Sequence, residues 1–530
     1  MIGPKTLGML GGAVFLACAP MAHAQQQPAP TAAELEQRLQ EVNALLEQTR
    51  QTLAGSLTQL NQLQREVDQL RAASATAACT APAPAPAPAP ASPAQTAQAT
   101  PPAPATGNDR LDALAEEQEI LRSQVQQHEQ TKLESASKYP VRVNGLLLFN
   151  AFSNSGAVDQ IDLPSIALPQ TAGQTYGAAS TAGATLRQTI LGLEASGPRL
   201  WGARSAASLN IDFFGDIANS LYSAPSTTVR LRLAQFGLFW TPPHGHASVE
   251  AGIDDPLISP LSPTSYATVA IPSLAWAGNL WTWSPQLRAR YSRSLGVDET
   301  AGPRLGFEAG LLDPQVTGLT GTAVVRTASP GEQSRQPGVE GRAFFESGPA
   351  ERPLAFGIGG YRSRQSYLNS GYPVSTTSWA ATNDWRVPLG RWLSLSGEAY
   401  RGSGLGSLGG GAYKDALTGT DPSTGYARTE ELDAAGGWSQ LKLTLSEVLQ
   451  ANAAWGLDDA FAGDFHRLTL APSTDPLTLA ARDSMSVGNI IYRPKSYLIL
   501  SPEYRRIVSW QITGAPSIAN IFTLSMGYQF

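Results

Sequence analysis

Phe522, Leu524, Met526, Tyr528 and Phe530 alternate with Thr523, Ser525, Gly527 and Gln529. One face of this segment is apolar and aromatic, and the other is small and polar. A period of two belongs to a β-strand held between two unlike environments. In a sandwich the polar face meets water and the apolar face turns inward; in a membrane barrel the apolar face meets lipid and the polar face lines the lumen. Composition separates these. Charged residues are 15% of the 530 where a soluble chain carries about 25%, yet hydrophobic residues are only 42%. That is poor in charge for a soluble enzyme and poor in fat for a helical membrane protein. The reading is an all-β transmembrane barrel, closed by a strand that ends on an aromatic residue.

The alternation recurs upstream. Leu209, Ile211 and Phe213 oppose Arg204, Ser208, Asn210 and Asp212, and Val229, Leu231 and Leu233 oppose Arg230 and Arg232. Leu287, Ala289 and Tyr291 oppose Arg288, Arg290 and Ser292; Leu393, Leu395 and Ala399 oppose Ser394, Ser396, Glu398 and Tyr400. Strands are expected near 140–154, 184–197, 201–215, 227–241, 246–255, 281–295, 304–314, 338–348, 354–367, 375–388, 392–403, 434–448, 449–457, 485–493, 497–510 and 518–530. That makes sixteen, the even number a single-chain bacterial barrel requires. The boundary at 448 and 449 lacks a turn signal, so two strands either way stay open. Connections after strands one, three, five, seven, eleven and thirteen are long; those after even strands are mostly short, as in Pro242-Pro243-His244-Gly245.

The amino-terminal part reads differently. Lys5, the apolar run Leu7 to Ala19 and Ala22-His23-Ala24 form a secretory signal peptide over 1–24. Thr31 and Glu34 make a capping box. From there Leu35, Leu39, Val42, Leu46, Leu53, Leu60, Leu63, Val67 and Leu70 keep a four-three rhythm that predicts a coiled coil over 31–72. An Ala/Pro-rich linker follows over 73–107, expected as an extended spacer, then a second short helix over 108–135. The barrel takes 139–530. Short turns facing the periplasm place this extension there. With the signal removed, Cys79 is the one cysteine left, idle or paired between chains.

A sixteen-stranded barrel holds a water channel. The segment 256–280 is nearly uncharged and rich in Ser, Pro and apolar residues, which predicts a loop folded inward as a constriction. Residues 139–530 hold 28 basic side chains, 25 of them arginine, against 30 acids. Guanidinium offers a planar fork to carboxylates and phosphates, and rings of it select anions. The pore-lining residues expected to handle substrate are Arg187, Arg204, Arg230, Arg232, Arg288, Arg290, Arg342 and Arg505, with Asp212 and Glu398 as lumen acids that pair with some of them. There is no Walker motif, Cys pair or Gly-x-Ser-x-Gly elbow, so no enzyme, no cofactor and no metal site are expected. A net charge of −6 speaks against a nucleic-acid partner.

The order of parts resembles the DcaP-like trimeric outer-membrane porins. The likeness is carried by Leu186-Arg187-Gln188-Thr189, Asn210-Ile211-Asp212-Phe213-Phe214-Gly215, Arg230-Leu231-Arg232, Gly397-Glu398-Ala399-Tyr400-Arg401-Gly402 and Asn452-Ala453-Ala454-Trp455-Gly456-Leu457-Asp458-Asp459. It implies a homotrimer in the bacterial outer membrane that passes small anionic organic solutes, dicarboxylates among them, past lumen arginines. Other partners expected are outer-membrane lipid and peptidoglycan. The long Ala-Pro spacer and the acidic net charge depart from the pattern. The rival function is an envelope tether, in which the barrel anchors the coiled coil.

Overall fold

The computed structural model describes residues 139–169, 180–215, 217–218, 226–296, 302–313, 328–349, 351–369, 372–473 and 475–530. The expected signal peptide, coiled coil, linker and second helix, with Cys79, lie outside these residues. Sixteen antiparallel strands close into a barrel. They are β1 (Val141–Ser155), β2 (Ser180–Thr185, resumed as Ile190–Leu200), β3 (Ala203–Asp212), β4 (Arg230–Trp240), β5 (Gly245–Asp254), β6 (Ser284–Ser294), β7 (Arg304–Leu312) and β8 (Gly338–Ser347). The circuit continues with β9 (Leu354–Asn369), β10 (Tyr372–Leu389), β11 (Leu393–Ser403), β12 (Asp433–Thr444), β13 (Leu449–Ala460), β14 (Ala480–Lys495), β15 (Leu498–Gln511) and β16 (Ser517–Gln529).

The seam closes where the last strand pairs with the first, from Leu146↔Gln529 to Ser155↔Asn520. Phe530 completes it: its N–H donates to Gly145 O at 3.1 Å and its carbonyl accepts from Gly145 N–H at 2.9 Å. Gly145 is required there, since a Cβ on it would lie 2.7 Å from the backbone oxygen of Ile190. Closure leaves no free sheet edge, which a strand structure in lipid cannot tolerate.

Alternation sets the two faces. Outward positions keep large apolar side chains exposed, such as Phe522 at 60% and Ile358 at 68%, while polar Asp212, Ser525 and Gln440 are buried on the inner side. This inversion of the soluble pattern is what a barrel in lipid needs. Aromatic side chains gather near the short-turn end, where Tyr497 and Tyr528 lie 5.5 Å apart and Trp201 and Trp392 are exposed. Such belts sit at membrane interfaces.

All sixteen expected strands are present, with local differences. The second is broken over 186–189, because Gln188 turns its amide to an inward loop. The fourth carries a bulge: Asn210 pairs with Leu233 and Ile211 with Leu231, leaving Arg232 as the extra residue. A bulge swaps the face of everything beyond it, so Leu233 shares the lumen side of Asn210 rather than the lipid side expected for it. The boundary at 448 and 449 is a tight turn, closed by Leu445 N–H donating to Leu449 O at 3.0 Å. At the opposite end the connections after β9 and β15 are short, and the others are long.

Candidate functional site

The 256–280 segment, between β5 and β6, runs around the inner wall. Inward side chains of successive strands hold its backbone. Leu257 N–H donates to Glu340 on β8 at 2.9 Å, and Thr382 on β10 donates to Ile258 O at 2.8 Å. Ser259 Oγ and Leu261 N–H donate to Glu398 on β11 at 2.5 and 2.7 Å. Thr264 N–H reaches Gln440 on β12 at 2.6 Å, Asn489 on β14 donates to Thr264 O at 2.9 Å, and Ser265 Oγ donates to Glu503 on β15 at 2.5 Å. Gln188, in the break of β2, receives Val269 and Ala270 N–H at 2.7 and 3.1 Å, and Arg230 on β4 donates to Ala270 O at 2.6 Å.

Leu261, Leu274 and Ala277 are packed on inward Trp438, Met485, Val487 and Ile507. The inner wall is therefore not uniformly polar. It carries an apolar seat for the loop, and the loop narrows the lumen around its circumference.

Most of the arginines singled out from the sequence meet carboxylates. Arg230 pairs with Asp212 through two bonds, at 3.0 and 2.6 Å, and lies over the rings of Phe214 and Trp283. Arg187 bonds Asp162 at 2.7 Å and stacks on Phe214 at 4.1 Å. Arg288 is paired with Asp254 and with Glu250 at 3.5 Å. Arg290 reaches Glu308 at 3.1 Å, and its side chain stays 46% exposed. Arg342 is buried between Asp384 and Glu308, at 2.8 and 3.3 Å. Arg505 is buried against Glu503 at 3.3 Å and donates to Pro164 O. Glu398 pairs with no arginine among the described residues and serves as a loop anchor instead.

Arg204 and Arg232 differ. Neither has a carboxylate within ion-pair distance among the described residues. Arg232 lies over Trp283 at 4.9 Å, and its Nε has no hydrogen-bond partner among those residues. Arg204 opens onto a cavity of about 770 Å³ at the short-turn end, shared with Arg199, His246, Arg290, Arg304 and Glu250.

A second basic group, on the opposite wall, was not singled out from the sequence. Arg386 on β10 and Lys442 on β12 line a cavity of about 260 Å³ beneath Pro260 to Thr264 of the loop. Arg493 on β14 donates to the Tyr266 hydroxyl of the same loop. A signal was available for two of them: Asp384-Trp385-Arg386 and Gln440-Leu441-Lys442-Leu443 keep strand alternation, which puts both cations on the lumen parity. Arg493 stands beside Pro494 at a strand end, where parity is not readable.

No protein-family model matches the sequence, and no curated protein sequence matches it. Among solved structures, the crystal structure of the outer membrane channel DcaP of Acinetobacter baumannii aligns with a TM-score of 0.54 at 16% identity, covering 76% of this chain and 100% of that chain. This is the DcaP barrel fold. The resemblance read from the sequence thus holds at the level of fold. An anion-selective porin from Comamonas acidovorans aligns at TM-score 0.44 and 12% identity, over 74% of this chain and 100% of that one. OmpF of Salmonella typhi aligns at TM-score 0.41 and 12% identity, over 74% of this chain and 97% of that one.

Proposed function

We propose that the chain is an outer-membrane porin, assembled as a homotrimer, that lets small anionic organic solutes diffuse across the membrane. The observation that carries this reading is the inward loop. A closed sixteen-strand barrel leaves an aqueous passage, and a loop hydrogen-bonded to wall strands from β8 round to β4 turns that passage into a size filter with fixed side chains. A plain anchor has no use for such a ring. Anion preference is supported by the cations that have no carboxylate within ion-pair distance among the described residues, Arg204 and Arg232 among them. Paired arginines add a transverse field without net charge.

The test is the reversal potential across a potassium chloride gradient. The wild-type channel is expected to prefer chloride, and Arg204→Ala with Arg232→Ala to lower the chloride-to-potassium permeability ratio by about twofold or more. Cation preference in the wild type would refute the anion reading.

Asp255 gives this selectivity a pH dependence. It follows β5, half-buried, with its carboxylate accepting from Trp283 Nε1 at 2.8 Å. Burial, reinforced by neighbouring Asp254, pushes its carboxyl up to about 6. Above that pH it is an anion facing Arg232 and Arg288; below it the carboxyl is neutral. Anion preference is therefore expected to rise as pH falls from 7.5 to 5, and Asp255→Asn is expected to show the acid-side value throughout. An unchanged pH profile in that variant would remove Asp255 from the account.

A further inference from the structure

We propose that Arg386, Lys442 and Arg493 form a binding subsite for phosphate, free or as a monoester, on the short-turn side of the constriction loop. This rests on the channel reading and deepens it. None of the three cations has a carboxylate within ion-pair distance among the described residues. Lys442 nevertheless lies within electrostatic reach of both arginines.

The strands place Arg386 and Lys442 together, and Arg493 joins them through the loop's Tyr266. Arg386 is opposite Ser396, which is opposite Gln440, and Lys442 is opposite Ser394 one lumen position further toward the turns. The cavity that Arg386 and Lys442 share is also lined by Thr264, Ser394, Ser396 and Gln440, so hydroxyl and amide groups surround the charges. The loop roofs it.

Three of the nearby acids are engaged elsewhere. Asp384 belongs to Arg342, Glu398 holds Ser259 and Leu261, and Glu503 holds Ser265, Asn489 and Arg505. Glu351 lines the same cavity from the turn between β8 and β9. Its neighbour Arg352 also lines it, but gives its guanidinium to the carbonyls of Gly390, Arg391 and Leu393.

Three like charges near one another repel, and an anion among them removes that cost. The charge of the trio favours a divalent anion over a monovalent one. A phosphate monoester carries about −1.5 to −2 charge at neutral pH and three acceptor oxygens. Two planar guanidinium forks and one compact ammonium match that number of acceptors. A monocarboxylate offers one charge and two oxygens.

The experiment is single-channel recording of the full chain in planar bilayers, with inorganic phosphate added to potassium chloride at constant ionic strength. Phosphate is expected to reduce the chloride current. Lys442→Gln should raise the half-blocking concentration roughly tenfold, the loss of one charge-assisted contact. Arg386→Gln, Lys442→Gln and Arg493→Gln together should abolish the block. Arg428→Gln, in an exposed pair with Glu430 away from the cavity, should leave it unchanged. Conductance in chloride alone certifies that each variant is folded.

Equal block in wild type and triple variant overturns the subsite. So does a wild-type channel that conducts chloride but ignores phosphate, or that is blocked only by succinate through these residues. A chain with no conductance at all sinks the channel reading, and the subsite with it.

Discussion

Arg342→Ala is expected to destabilise the barrel by about 3–5 kcal/mol, the cost of leaving a buried ion pair with one partner. The Arg342 side chain is 6% exposed, and its partners Asp384 and Glu308 are 3% and 7% exposed. Its Nε and Nη2 meet the two Asp384 oxygens at 2.8 Å each, and Nη1 meets Glu308 at 3.3 Å. Without the guanidinium, Glu308 retains Arg290 at 3.1 Å, while Asp384 keeps no cation. The site is cut to fit: a Cβ on Gly357 would lie 2.1 Å from Asp384 Oδ2 and 2.7 Å from Arg342 Nε. Urea unfolding in lipid vesicles, followed by tryptophan fluorescence, measures the change. Pairing Arg342→Met with Asp384→Asn should recover part of the loss, since no lone charge is then left buried. A midpoint equal to wild type in the single variant would show that water reaches Asp384.

The second large effect concerns the loop. Glu398→Ala is expected to raise single-channel conductance by about twofold, with noisier open currents, in a barrel that still closes. Glu398 is buried and takes three donors, Ser259 Oγ at 2.5 Å, Leu261 N–H at 2.7 Å and Trp438 Nε1 at 3.3 Å. Each orphaned donor costs about 1–3 kcal/mol. The lumen loop itself loses two of these holds, at Ser259 and Leu261, so this stretch is better solvated by water than held on the wall and should lift off locally. The neighbouring holds at Glu340 and Gln440 keep the rest in place. Glu398→Gln retains an acceptor oxygen and should fall between the two. Wild-type conductance and noise in the alanine variant would mean that apolar packing of Leu261, rather than Glu398, fixes this stretch.

The strands were legible because alternation is written residue by residue along the chain. Phe522 to Phe530 shows a lipid face and a lumen face with no knowledge of its neighbours, and the same holds for Leu393 to Tyr400. The inward loop was legible for a related reason. A segment between two strands with almost no charge has to be covered by something, and the lumen wall covers it. The arginines were not legible in this way. Arg230 and Arg232 look equivalent two residues apart, yet one is locked to Asp212 and the other, on a bulge, lies over Trp283 with no carboxylate at ion-pair distance among the described residues.

Sequence alone determined that this chain makes about sixteen amphipathic strands with polar side chains on one parity, since strand geometry and burial are local, periodic properties. Tertiary structure alone decided which cations are neutralised. Arg187 finds Asp162 in the preceding loop, Arg342 finds Asp384 two strands away, and Arg386, Lys442 and Arg493 find none among the described residues. Pairing depends on register between strands and on the path of one inward loop, and both are set by contacts between residues far apart in the chain.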